Sequence, residues 1–154
     1  MFSLPTLSLK GKVSDQEWQT RVDLAACYRL VADMRWGDLI YTHISAKVPG
    51  TEHYLVNAFG LTFDEVTASN LVKVDLEGNI LDDTPYGINP AGFTIHSAIH
   101  EVRHDAQCVI HLHTLATISV ASVKGGLKPW SQYSMFSLPS LSYHSYEGLA
   151  VDDS

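Results

Sequence analysis

Eight histidines stand in this 154-residue chain, five of them between His96 and His113. His111 and His113 are two apart. On a β-strand that spacing sends both imidazoles out of one face, where two nitrogens can reach one cation, zinc or a neighbouring transition ion by ligand preference. The same spacing also suits a plain polar face at a strand end. A second string, His100-Glu101-Val102-Arg103-His104, matches HExxH, the helical zinc peptidase pattern in which the glutamate is the general base. Its setting argues against that chemistry. It closes a helix whose apolar face lies on other residues, Asp105 follows at once, and no third ligand comes at a peptidase spacing. His96, His100 and His104 therefore read as a solvated helix face. Cys27 and Cys108 stand outside any CxxC pair and at apolar positions, which predicts buried free thiols in a reducing compartment. No GxSxG elbow, phosphate-binding P-loop or GxGxxG turn is present, so those hydrolase and nucleotide signatures are absent.

The elements that must position these groups follow from periodicity. Residues 1–13 read as an irregular arm. Ser14 with Glu17 forms a capping box, and Trp18, Val22, Ala25, Tyr28 and Val31 or Ala32 give the apolar face of a helix running to about Trp36, with Gly37 as the stop. From Asp38 to Val48 the period becomes two, with Leu39, Tyr41, His43 and Ser45 on one side and Ile40, Thr42, Ile44 and Ala46 on the other. Pro49-Gly50 turns this strand towards an antiparallel neighbour at His53–Ala58. Leu71–Asp75 and Asn79–Leu81 form a second hairpin, with a short helix in FDEVTASN before it. Asn89 caps a helix from Ala91 to Arg103 with Pro90 in its first turn, and Ile95, Ala98, Ile99 and Val102 are its expected inward face. A strand, QCVIHLH, and a helix from Thr114 to Val123 follow, then an aromatic, turn-rich stretch with one weak strand. MFSLPTLS at 1–8 recurs as MFSLPSLS at 135–142, too short and isolated for a structural repeat. Strands interleaved with helices, some in hairpins, imply a mixed or largely antiparallel sheet covered on both faces.

Length and composition bound the rest. The chain suits one domain, and 45% apolar with 18% charged residues describes a folded one. A formal charge of −7 with no basic patch predicts neither a nucleic-acid partner nor an anionic membrane surface. The most apolar stretch, Cys108–Val123, is broken by His111 and His113 and falls short of the ~20 residues that cross a bilayer. No secretory signal is legible at the amino end, so a cytoplasmic protein is the expectation.

Several stretches together resemble the class II aldolase/adducin family, especially its adducin-like branch: NPAGFTIHSAI from Asn89 with CVIHLHT from Cys108, then FGLTFDEVTASNLVKVDLEGNI from Phe59, IYTHISAKVPG from Ile40 and YHSYEGLAVDD from Tyr143. They cover residues 20–154. The resemblance implies a three-layer α/β/α sandwich with a mixed, largely antiparallel central sheet over residues 14–154. It also implies a homo-oligomer, commonly a tetramer, and a divalent metal, usually zinc, held by His111 and His113. In such enzymes the metal stabilises the enediolate formed from a small hydroxycarbonyl compound during aldol cleavage, epimerisation or dehydration. Nickel, cobalt, manganese and iron are the alternatives to zinc.

The sequence departs from the enzymes of that family in three ways. Their acidic ligand or base, four positions before His96, corresponds to Gly92, so the catalytic base is unassigned. Their phosphate-binding positions correspond to His43, Phe59-Gly60 and Pro90-Ala91, leaving Gly60 and His43 as substrate-binding candidates and arguing against a phosphorylated substrate. Their pattern also continues past the position of Ser154 to a further metal-binding histidine in an Asn-His-Gly context, so the resemblance implies a domain without its C-terminal part. The third ligand would then come from beyond Ser154, or from His96 or His144. Two functions are consistent with this pattern: an aldolase-like lyase or isomerase in the full-length parent, or a noncatalytic adducin-like module that oligomerises or binds without metal.

Overall fold

The computed structural model describes residues 8–146 and Gly148. Helix α1 spans Asp15–Asp33, followed by β1 (His43–Lys47), β2 (Tyr54–Val56), a 3-10 turn at Phe63–Glu65, β3 (Val72–Val74), α2 (Pro90–Val102), β4 (Cys108–His111), α3 (Leu115–Ser122) and α4 (Gln132–Ser137). The four strands lie in the order β3-β2-β1-β4, and every pairing is antiparallel. Ile80 bridges back to Val74, as expected for the second hairpin.

Side chains alternate across the sheet and divide the interior into two layers. On one face Ile44 and Leu55 meet Leu24, Ala25, Tyr28 and Val31 of α1, together with Phe63, Val66 and Leu71. On the other face Tyr54, Val56, Val72 and Val74 pack with Ile88 and Phe93, and α2 lies there. This is an α/β/α arrangement with β1 at its centre.

Helix α1 opens as its sequence suggests, with the Ser14 hydroxyl accepting the Glu17 N–H at 3.1 Å. The reciprocal half of the capping box is not made. The Glu17 carboxylate is taken by Arg21 and Lys73 instead, at 2.9 Å each. Arg21 is wholly buried: it donates to Glu17, to the Leu71 carbonyl and to Asp82 at 2.6 Å, clamping α1 to the second hairpin. Burial opposes ionisation of Glu17, yet hydrogen bonds from Lys73 and Arg21 outweigh it and hold its carboxyl below the usual range. Val22, predicted to be inward, is exposed because Arg21 occupies the buried position.

Three other boundaries differ from the periodicity. Helix α1 stops before Gly37: Arg35 takes a left-handed conformation (φ 56°), and the Trp36 N–H closes on the Val31 carbonyl in a Schellman-type ending. The strand expected from Asp38 begins only at His43, because the Tyr41 N–H bonds back to the Asp38 carbonyl and Leu39 is also left-handed (φ 49°). The weak strand expected near the end is instead the short helix α4, capped by Ser131. Cys27 and Cys108 are both free thiols, but Cys108 is exposed, since among the described residues β4 pairs with β1 alone. The first copy of MFSLPTLS falls largely outside the described residues.

Candidate metal centre

The site grows from β1. Its sequence His43-Ile44-Ser45-Ala46-Lys47 alternates, with Ile44 on the α1 side and His43, Ser45 and Lys47 towards α2. The side of α2 that meets them carries Gly92, His96 and His100, all buried, while Val102 is 72% exposed. This corrects the helix phase expected from apolar spacing. His96 and His100 are not a solvated face; they are the packing face.

Most of the polar atoms there are hydrogen-bonded, while His100 Nδ1 and the Tyr54 hydroxyl are buried without a hydrogen-bond partner among the described residues. His43 Nδ1 and His96 Nε2 are 2.8 Å apart, His96 Nδ1 bonds with Ser45 Oγ, and that hydroxyl also meets His100 Nε2 at 2.8 Å. Lys47 Nζ donates to the His100 carbonyl at 2.8 Å. Burial, and secondarily the neighbouring histidines, push His43 down to about 4 and His96 to about 3; burial and then Lys47 push His100 to about 4. The three imidazoles are therefore neutral near pH 7, as an interlocked buried set must be.

β4 extends the set outward. His43 pairs across the sheet with His111, and their rings stack 4.5 Å apart at an interplanar angle of 11°. His113 lies just past the end of β4, and the two Nε2 atoms of His111 and His113 converge to 2.8 Å. The expected pair of imidazoles facing one point is thus present. Burial and then His113 hold His111 below its ordinary value, which keeps it available as a neutral ligand. On the far side of His113, Nδ1 meets Asp38 Oδ2 at 3.0 Å.

Other sequence candidates fall away from this point. His96 spends both ring nitrogens on His43 and Ser45. His104 lies beyond the C-cap of α2 and is exposed, so it shares no face with buried His100, and the HExxH string forms no metal site. His144 is exposed on the C-terminal stretch. Among the described residues no group of three or more His, Cys, Asp or Glu side chains is arranged to hold a metal ion. Two imidazole nitrogens suit zinc by type, and they make up half of a tetrahedral set.

Gly92 and His43 prove to be a matched pair. A Cβ at residue 92 would stand 2.8 Å from His43 Cδ2 and 3.0 Å from its Nε2. The imidazole thus occupies the space that any side chain at 92 would need. The cavity beside them, lined by His43, Tyr54, Asn57, Asn89, Gly92 and Phe93, has a volume of about 10 Å³, enough for about one water molecule and no phosphate. Gly60 sits apart from it in an open turn with φ 92° and nothing within 4 Å of a Cβ. Asp38, Ser45 and His100 were not legible in the sequence as members of this cluster, and His96, a candidate third ligand by sequence, joins it as a buried brace instead. The one signal shared by Ser45, His96 and His100 was polar residues at period two on β1 facing polar residues at i, i+4 on α2.

Residues 22–153 match the family model described as "Class II Aldolase and Adducin N-terminal domain". The chain belongs to the class II aldolase and adducin family. Its fold agrees with the crystal structure of an aldolase II superfamily protein from Pseudomonas syringae, with a TM-score of 0.91, 58% identity, and coverage of 96% of this chain and 59% of that one. L-fuculose 1-phosphate aldolase from Glaciozyma antarctica superposes with a TM-score of 0.74 at 28% identity, over 89% of this chain and 55% of the other. Rat alpha-adducin is 48% identical over 136 residues, 86% of this chain but 18% of the adducin. The chain spans under three fifths of the length of the bacterial relatives it matches. Class II aldolases and adducins are thus both among its relatives. Among the described residues no helix is long and apolar enough to cross a membrane.

Proposed function

We propose that this chain carries the metal-holding part of a class II aldolase-like lyase or isomerase acting on a small, unphosphorylated hydroxycarbonyl compound. The observation that carries the reading is the convergence of His111 Nε2 and His113 Nε2 to 2.8 Å at the end of the sheet. Zinc, or another divalent transition ion held there, supplies an electrophile that polarises a substrate carbonyl and stabilises negative charge beside it. The protein's own part is to keep the two imidazoles neutral and aimed. Strand pairing of His43 with His111 sets the ring stack, and the buried hydrogen bonds among His43, His96, Ser45 and His100 brace that stack from behind. His43 closes the space at Gly92, so no carboxylate reaches the pair from that position. Gly60 and His43 stay the substrate-binding candidates of this reading, and the small cavity beside Gly92 disfavours a phosphate. A cytoplasmic homo-oligomer, with further ligands from beyond the described residues, completes the proposal.

Zinc content of the full gene product, measured by elemental analysis with and without His111→Ala/His113→Ala, is the direct test. Metal bound to the parent protein and lost from the variant is expected, together with metal-dependent deuterium uptake at the carbon next to the carbonyl of small hydroxyketones. Equal metal in both proteins overturns the reading.

A noncatalytic adducin-like module that oligomerises without metal is the second reading. It is favoured by the missing carboxylate at Gly92 and by the similarity to alpha-adducin. Oligomers that bind no zinc and leave the carbon-bound protons unexchanged would establish it.

A further inference from the structure

We propose that Asp38 is a positioning residue for the metal pair: its carboxylate fixes the tautomer and aim of His113, so that His113 Nε2 is presented without a proton. The inference rests on the metal reading above and deepens it.

Donor counting gives the assignment. An ionised carboxylate only accepts, so the 3.0 Å contact between Asp38 Oδ2 and His113 Nδ1 requires the proton on Nδ1. A neutral imidazole then carries a bare Nε2. With His113 neutral, the one proton that the 2.8 Å contact between the two Nε2 atoms needs sits on His111. The pair is thereby ordered: His113 is a finished ligand, and the single proton between the nitrogens occupies the place a cation would take. Carboxylate, imidazole and cation in line is the general arrangement by which proteins orient a ligating histidine and raise its basicity.

The loop that delivers Asp38 supports the assignment independently. Leu39, next to Asp38, is left-handed at φ 49°; the other non-glycine residue with positive φ among those described, Arg35, belongs to the end of α1. Non-glycine residues adopt this region at a cost, and it persists where surrounding contacts demand it. Here the Asp38 N–H bonds to Thr42 Oγ1 and its carbonyl accepts the Tyr41 N–H, a tight turn that ends one residue before β1. It brings the carboxylate across 75 residues of sequence to His113, just past the end of β4.

The test uses the full gene product and two readouts. In the metal-free, 15N-labelled protein, long-range ring spectra should show His113 protonated at Nδ1, and Asp38→Ala should leave it a mixture of tautomers. Zinc titrated against a chromophoric chelator should bind 10–100-fold more weakly to Asp38→Ala, and less than ten-fold more weakly to Asp38→Asn, which keeps an acceptor oxygen. The metal-free thermal midpoint should barely move, because the Asp38 side chain is half exposed. His113 protonated at Nε2 in the parent protein, or unchanged zinc affinity in Asp38→Ala, overturns the proposal. If the parent protein binds no zinc, the enzymatic reading fails while the ring spectrum still decides the role of Asp38.

Discussion

The two faces of the sheet are built from opposite materials. Apart from the buried Arg21–Glu17–Asp82 cluster, the layer under α1 is apolar, sealed by Tyr28, whose hydroxyl accepts the Ile44 and Asn57 N–H groups while the ring packs edge-on against Phe63. Under α2 the layer around β1 is a chain of imidazoles joined by one serine. The first face buries mainly hydrocarbon and gains from its removal from water; the second buries polar atoms and is tolerable because most of them are paired, His100 Nδ1 being the exception in the imidazole chain. A face assembled at that cost in desolvation, next to two converging ring nitrogens, is the one to examine for chemistry.

The largest expected effect falls on the α1 side. Arg21→Ala would leave buried Glu17 and Asp82 with Lys73 as their one remaining cation among the described residues, and should cost about 3–5 kcal/mol in a urea titration. A loss below about 1 kcal/mol would mean that the clamp is slack and that the two faces differ less than their contacts suggest.

On the α2 side, Gly92→Ala drives a Cβ against His43 and should cost about 1–3 kcal/mol, as overpacking does. Pairing it with His43→Ala should recover part of that loss, so the double variant is less destabilised than the two single losses added together. Simple additivity would separate the two residues.

The smallest and most selective expectation concerns pH. His43, His96 and His100 titrate far lower in the fold than the ordinary value of 6.5, so the unfolded chain binds protons more readily. Their contribution to stability is complete above pH 6.5 and is lost as pH falls towards 4 and then 3. Between 6.5 and 4.5 the depressed carboxyl of Glu17 stays ionised, and the thermal midpoint of metal-free protein should already decline, less steeply in His100→Gln. A flat profile over that window would show that the imidazoles are not held neutral by burial.

Much of the fold was legible in the sequence. The capping serine, the β1 alternation, both hairpins, the Asn89-Pro90 helix start and the HxH pair all occur where their residues predict. These signals are local: a cap, a turn or a period of two depends on neighbours in sequence and survives any packing. The ends of α1 and β1 were not legible, since Arg35 and Leu39 take left-handed conformations that nothing about their side chains favours.

What the sequence determined by itself was the family, the layered class and the two imidazoles on one ribbon, because each is written in residue type and short spacing. Only the tertiary structure decided which side of α2 faces inward. Apolar periodicity pointed to Ile95, Ile99 and Val102, but β1 offers that helix His43, Ser45 and Lys47, and buried polar groups must be answered by polar groups. Hydrogen-bond pairing between two segments some 50 residues apart overrode the hydrophobic period. It likewise set His43 into the space above Gly92 and brought Asp38 behind His113, contacts that no single segment could announce.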